Sequence, residues 1–526
     1  MRTDNSVISV IYNSGSGNMF CPALLFLCVL CSVANSYNIL AFFPLALDSH
    51  IKPFQPLLYE LARRGHNVTE LSSFPPPEGL DNYKFIPVPH LFIPANTLQW
   101  RNRSHPVLIS MYQSLCLLEI EKVLKLPEVQ TFIQTDQSHF DAIIIEGTFC
   151  SESFITLGHK YGAPVINFQP LGYWPTNYFL FGNLLSPASI ADYRIPIGTQ
   201  MDFLARLDSL WFTVADFFLT FTSYYPKQEL LMDKYFKYKG SNTRHSMKEM
   251  LRNISMTFVE HDIAIGVPQP LPPNIVFTGG MHIKSAKPLP PDLDKYISEA
   301  PDGVIFFSFG TNVKFANMPP YVLKAFLDAF GKIKQKILWK TDVDVEVPPN
   351  VLVRKWFPQT DILGHKNCRL FITHGGIHSA MEAGYHGVPV VMMPGFSDQF
   401  QNVLLMQEKG LGKVIGMDSV NADIIVEAVE EVLGDETYAA NAKRISSIMR
   451  SSPMSSLEKG VYWTEYVIRH NGAHFLKPAS TRLSLVQFLC LDILLVVVFV
   501  LVAILFLLVK SVNKLCCRTR RKDKTE

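Results

Sequence analysis

His374, Gly375 and Gly376 close an apolar, strand-like run at 370–373, and the residues that follow, 377–385, have helical spacing. Glycines at such a turn let backbone approach a ligand closely. The free N–H groups of the next helix's first turn, at the positive end of its dipole, suit an anion such as a diphosphate. A second apolar run at 388–393 leads into 395–399, which leaves the carboxyl end of a strand, where open α/β sheets hold their ligands. Asp398 and Gln399 are therefore placed to grip sugar hydroxyls. A strand followed by His-Gly-Gly is by itself more often tight packing than a binding site. Here the polar residues of the whole run 356–402 fall at the turns.

Such a site needs a scaffold, and the chain supplies alternating strands and helices. A strand at 38–43 is followed by an amphipathic helix at 53–64 with Gly65 as its C-terminal cap, then a strand at 67–71. Further strands at 140–145 and 164–168 flank a helix near 154–160, which predicts a parallel α/β domain. Residues 201–236 form a long aromatic and leucine-rich helical stretch that could line an apolar cleft, rest on a membrane surface or simply pack. Proline-rich segments at 268–273 and 287–291 bracket 276–283 and predict an interdomain connection. A second α/β domain then opens with a strand and glycine turn at 303–310, a helix at 320–332 and a strand at 336–340. No internal repeat is evident.

The chain has 526 residues, 48% of them hydrophobic, and a net charge of +2, with a mean hydropathy of +0.15. That length fits two or three domains, and the charge balance sets nucleic acid aside. Membrane segments account for the high hydropathy. Residues 489–509 are almost all apolar, broken by Asp492, and are long enough to cross a bilayer as a helix. The basic tail, 510–526, predicts a cytosolic C-terminus and hence a luminal body. Residues 1–36 read as a signal peptide cleaved after Ser36, with Met19 as an alternative start, since only Arg2 is positive among the residues before it. Asn67, Asn102 and Asn253 sit in glycosylation triplets on the luminal side. Of the nine cysteines, only Cys116, Cys150 and Cys368 fall in the luminal body, which predicts no disulfide framework.

The run WFPQTDILGHKNCRLFITHGGIHSAMEAGYHGVPVVMMPGFSDQFQN, 356–402, resembles the signature of the UDP-glycosyltransferase family, whose vertebrate members are the UDP-glucuronosyltransferases. The similarity extends from Tyr37 to the C-terminus. It implies the GT-B architecture: an acceptor-binding Rossmann-like domain over 37–283 facing a UDP-sugar-binding one over 284–475, with one C-terminal transmembrane helix. A helix near 454–474 would return toward the N-terminal domain. The implied partners are a UDP-sugar donor, a small lipophilic acceptor and the membrane, with a homo- or hetero-oligomer open. Lys522 and Lys524 resemble a dilysine retrieval signal, which implies the endoplasmic reticulum.

Sugar transfer needs a base for the acceptor hydroxyl and charge stabilisation for the departing diphosphate. His50 lies between the first strand and a helix start, where the dipole disfavours imidazolium. Such a histidine is by itself more often structural, but the resemblance assigns it the base role. Its carboxylate partner is then Glu146, where vertebrate members usually carry Asp, with Glu152 in reserve. By the same resemblance Trp356 stacks under the uracil and Gln359 bonds the base or ribose. His374, Gly375, Gly376, His378 and Ser379 surround the diphosphate, Glu382 takes the ribose hydroxyls, and Ser308 and Gly310 form the front of the pocket. Asp398 and Gln399 complete the sugar contacts. Ser379 replaces a usual Gly. No Asp-x-Asp triplet or ligand cluster has metal spacing, so metal-free, inverting transfer without a cofactor is expected. The donor is glucose or glucuronate, with a lean to glucose because the residues around 146 resemble invertebrate members. The competing reading is a catalytically poor relative that binds a lipophile or regulates a partner; an epimerase of the same architecture is a distant third.

Overall fold

Runs of Ile, Val, Phe and Ala buried on both faces build two parallel sheets in a computed structural model, which describes residues 36–76, 80–89, 103–311, 313 and 315–522. In the first, β1 (Asn38–Phe42) lies between β2 (Asn67–Ser72) and β4 (Ala142–Ile145). The order β3-β2-β1-β4-β5-β6-β7 is completed by β3 (Tyr83–Pro87), β5 (Val165–Gln169), β6 (Met256–Val259) and β7 (Ile275–Phe277). The second has the order β10-β9-β8-β11-β12-β13. Its members are β8 (Val304–Ser308), β9 (Lys336–Lys340), β10 (Val351–Arg354), β11 (Cys368–Thr373), β12 (Val390–Met392) and β13 (Gly412–Val414). Strands such as Ala-Ile-Ile-Ile of β4 are buried at every position, as a sheet covered by helices on both faces requires. This is the GT-B arrangement, two Rossmann-like sheets. The stretch between the proline-rich segments is not all connector, because β7 adds a seventh strand to the first sheet.

Parallel strands all end on the same side, and their registers decide what emerges together. Phe42 pairs with Ile145, so the loops after β1 and β4 leave the first sheet side by side. Ser308 pairs with both Thr373 and Lys340, and Thr373 pairs with Met392, so the ends of β8, β9, β11 and β12 converge on the second.

The helix Ser456–Arg469 opens with a capping box from Ser455 and Glu458, then crosses back to the first lobe. Its Val461, Val467 and Ile468 join a core with Leu57, Leu61 and Phe168, and Ser456 Oγ donates to the Gly279 carbonyl at 2.7 Å. Beyond it Leu491–Lys522 is one helix, of which Leu491–Lys514 is long and apolar enough to cross a membrane. The leader 1–35, Asn102 and the tail beyond Lys522 lie outside the described residues.

The 201–236 stretch forms helices Phe203–Leu219 and Tyr225–Tyr235 joined through a wider turn at Thr220–Tyr224. The outer face of the first helix, with Phe203, Leu207, Trp211, Val214 and Phe218, is exposed. None of these residues borders the central cavity, which corrects the cleft-lining option. The opposite face packs inward through Phe212 and Phe217.

Candidate functional site

The two sets of strand ends face each other across a cavity of about 700 Å³. His50 and His374 border the same space.

On the first lobe, the chain leaves β1, makes a single helical turn at Asp48–Ile51, and begins its longer helix only at Gln55. His50 therefore sits at the end of a four-residue turn, not at a helix start, and the dipole argument for its neutrality fails there. A carboxylate orients it instead. Glu146, the first residue after β4, accepts a hydrogen bond at 2.6 Å between its Oε1 and His50 Nδ1. Burial pushes the Glu146 carboxyl above its usual range, opposed by His50, and its Oε2 has no partner among the described residues. Phe149 closes edge-on over the imidazole at 4.8 Å. Glu152 is not the partner: its Oε2 accepts from the Tyr224 hydroxyl at 2.8 Å, and burial raises it to about 7.

The helix His105–Leu124 supplies a second wall through Tyr112, Leu115, Cys116 and Glu119. Cys116 is bonded to Cys150, in the loop that carries Glu146 and Phe149. The sequence reading without disulfides is corrected here; a pair separated by 34 residues leaves no local signature.

On the second lobe, Gly376 is the N-terminal cap of the helix Ile377–His386. Gly375 has φ +80°, and a Cβ there would lie 2.1 Å from Val403 Cγ1; at Gly310, φ +72°, a Cβ would lie 2.8 Å from His374 Cε1. Both positions thus require glycine. The cavity is bordered here by Gly310, Gln359, His374, Gly376, His378, Ser379, Glu382, Asp398 and Gln399. Burial, with Lys340 nearby, holds His374 down at about 4. Burial raises Glu382, whose carboxylate accepts from Thr360 and Gln359, and lifts Asp398 to about 6 against the Asn402 hydrogen bond and the nearby His50. Gln399 Oε1 accepts from the Gly395 N–H at 2.8 Å, fixing the loop after β12.

Ser308, Gly375 and Trp356 stand outside this wall. Ser308 Oγ accepts from the Gly310 N–H at 3.2 Å and shapes the turn. Trp356 is 69% exposed on the loop before the helix Gln359–Leu363, so it is not a core tryptophan. Ser379 borders the cavity without closing it, its Oγ 3.4 Å from Gln359 Nε2. Of the glycosylation triplets, Asn67 and Asn253 are exposed; Asn67 Nδ2 donates to Asn38, and Asn253 Oδ1 accepts from Lys477.

Sequence reasoning missed Lys340 and His282, both in the cavity wall. Lys340 ends β9, so register with Ser308 brings its ammonium to the Gly310 carbonyl at 3.2 Å. Its place at a parallel strand's carboxyl end was the available signal. Among the described residues no group of three or more His, Cys, Asp or Glu side chains is arranged to hold a metal ion.

Comparison with known proteins gives this cleft a family. The profile of the family described as "UDP-glucoronosyl and UDP-glucosyl transferase" matches residues 106–526. UDP-glucosyltransferase 2 of Dactylopius coccus is 34% identical over 477 residues, covering 89% of this chain and 90% of the relative. UDP-glucuronosyltransferase 2B9 of Macaca fascicularis is 27% identical, covering 89% and 90%. The structure of a UDP-glucose: anthocyanidin 3-O-glucosyltransferase in complex with UDP superposes with a TM-score of 0.54 at 16% identity, over 83% of this chain and 100% of that one. The kitacinnamycin glycotransferase structure gives 0.56 at 16%, over the same shares. With the profile spanning well over half of the sequence, the chain belongs to the UDP-glucuronosyl and UDP-glucosyl transferase family and is a glycosyltransferase.

Proposed function

We propose that this enzyme transfers a hexosyl group from a UDP-sugar to a hydroxyl of a small lipophilic acceptor in one inverting displacement. The observation that carries the reading is the 2.6 Å His50–Glu146 contact in a cavity that His374 and the Gly376-capped helix also border. Nδ1–H of His50 bonded to Glu146 leaves Nε2 free to take the acceptor proton, and the carboxylate supports the imidazolium that forms. As the bond from the anomeric carbon to the diphosphate breaks, the helix N-terminus, His374 and Lys340 face the growing negative charge. No metal is needed for this step.

Leu45, Leu47, Leu115, Phe149 and Phe396 make the acceptor side largely apolar, which favours phenols and lipophilic alcohols. Trp356 offers an exposed indole face for the uracil. We favour glucose as the donor sugar, since relatives such as that of Dactylopius coccus carry the name UDP-glucosyltransferase. The body is assigned to the lumen of the endoplasmic reticulum with Leu491–Lys514 in the membrane; the Cys116–Cys150 bond suits that oxidising compartment. The alternative of a catalytically poor binder loses a motive, because Glu146 reaches His50 despite replacing the usual Asp.

The test is a donor screen of membranes carrying the full chain, with UDP-glucose, UDP-glucuronate, UDP-xylose and UDP-galactose against a panel of phenols. Transfer from UDP-glucose is expected; UDP binding without transfer from any donor would leave the binding protein as the reading.

A further inference from the structure

Behind the diphosphate side of the cleft lies a carboxylate that the reaction as described does not use. Glu260 follows β6 on the first lobe and is fully buried. Its Oε1 accepts from the Gly280 N–H at 2.9 Å, while its Oε2 has no partner among the described residues. His378, the second residue of the helix capped by Gly376, reaches it from the other lobe, with Nε2 3.7 Å from Glu260 Oε1. That nitrogen is likewise buried without a hydrogen bond. His378 also borders the cavity. His282 stands edge-on to it at 5.2 Å, with neither ring nitrogen partnered among the described residues. A buried acid and a buried base, both short of partners and a small shift from bonding distance, form a contact made across the two lobes.

We propose that Glu260 is a positioning residue that hands its proton to His378 when a diphosphate enters the cleft, making His378 imidazolium a further cation on the leaving group. The inference rests on the assignment of this end of the cavity to the donor diphosphate. Burial favours the neutral form of each, a carboxylic acid beside an imidazole. Burial pushes Glu260 up to about 8, and burial together with His282, His50 and His374 pushes His378 well below its ordinary value. His282 is itself held at about 4 by burial, and Glu382, one turn along the same helix, is raised by burial. The diphosphate reverses the balance: the O–H bond of Glu260 breaks, the N–H bond of His378 forms, and no proton is exchanged with solvent. When UDP departs the proton returns. A charged hydrogen bond then faces each end of the imidazolium, carboxylate behind and phosphate in front.

The test is calorimetric titration of the full-length protein in detergent with UDP, UMP and uridine, in buffers of different ionisation enthalpy, so that proton uptake is read directly. Wild-type protein should take up almost no proton on binding UDP at pH 7 and close to one at pH 9, where Glu260 has already ionised and the proton for His378 must come from water. Glu260→Gln should weaken UDP about tenfold at pH 7.5, as loss of one charged hydrogen bond does, weaken UMP less and leave uridine unchanged. His378→Asn should remove the uptake at pH 9, and Glu260→Gln should then add nothing in the His378→Asn background. Equal losses for uridine and UDP, additive effects in the double variant, or no uptake by wild-type at pH 9 would each overturn the proposal. Should Glu260→Gln not fold, the wild-type and His378→Asn uptake curves still decide. Failure of wild-type protein to bind UDP at all would remove the donor-site assignment; normal UDP binding with no proton linkage would remove only the role of Glu260.

Discussion

The two faces of the cleft solve opposite electrostatic problems by different means. On the first lobe the proposed base is one side chain held by another: His50 on Glu146, 96 residues apart in sequence. On the second lobe the proposed diphosphate site is built mainly from backbone, with Gly310 and Gly375 in the left-handed region and Gly376 at a helix N-terminus. A base assembled from two side chains fails when either is lost. A phosphate site assembled from many N–H groups is altered most by anything that displaces the backbone.

That contrast is broken most directly at His50. His50→Ala should lower transfer by about 10²- to 10⁴-fold while the UDP dissociation constant stays within about twofold, read by single-turnover kinetics and UDP titration. A matching loss of UDP affinity would mean that the lobes do not divide the work. The cystine comes next: Cys116→Ala should cost about 2–4 kcal/mol of stability and raise the acceptor KM more than the donor KM, measured by thermal unfolding and steady-state kinetics. Trp356→Ala should weaken UDP and UDP-sugar binding by about 1–3 kcal/mol, if the indole stacks as aromatic residues do on bases, without changing the rate at saturating donor; an unchanged donor constant would return Trp356 to the surface.

The smallest effect is one of pH. Glu152 has its carboxyl raised to about 7 by burial, so the folded state holds a proton that the unfolded chain releases near the ordinary carboxylate range. Stability linked to this group is therefore full below that range and falls as pH rises through about 7. Glu152→Gln should flatten that fall in denaturant titrations at pH 5, 6, 7 and 8, and leave catalysis intact, sharpening the separation of Glu152 from the His50 dyad.

The second-lobe wall of the cavity was legible in the sequence because most of it is contiguous. Strand, glycine turn, helix and strand follow one another from Trp356 to Asn402, and each local signal has a physical meaning that survives folding. Strands β1, β2, β4, β5, β8, β9, β11 and β12 were legible for the same reason, with Lys336–Lys340 matching to the residue, whereas β3, β6, β7, β10 and β13 were not read as strands. What was missed depends on register and on contact between distant segments. Lys340 reaches the pocket only because β9 pairs with β8. His282 and Glu260 flank β7 in a stretch whose prolines disguise a strand, and Cys116 finds Cys150 across a helix and a sheet. His50 was singled out through the resemblance and does border the cavity, but it lies in a one-turn helix that ends before the longer one begins, not at a helix start.

The Cys116–Cys150 bond joins the wall of the proposed acceptor side to the loop that presents Glu146 and Phe149. An oversized guest cannot be accommodated by swinging that wall aside without also tugging on the machinery that accepts its proton. On the proposed acceptor assignment, the gauge of molecules this enzyme can modify is set by a covalent tether as much as by the shape of the void.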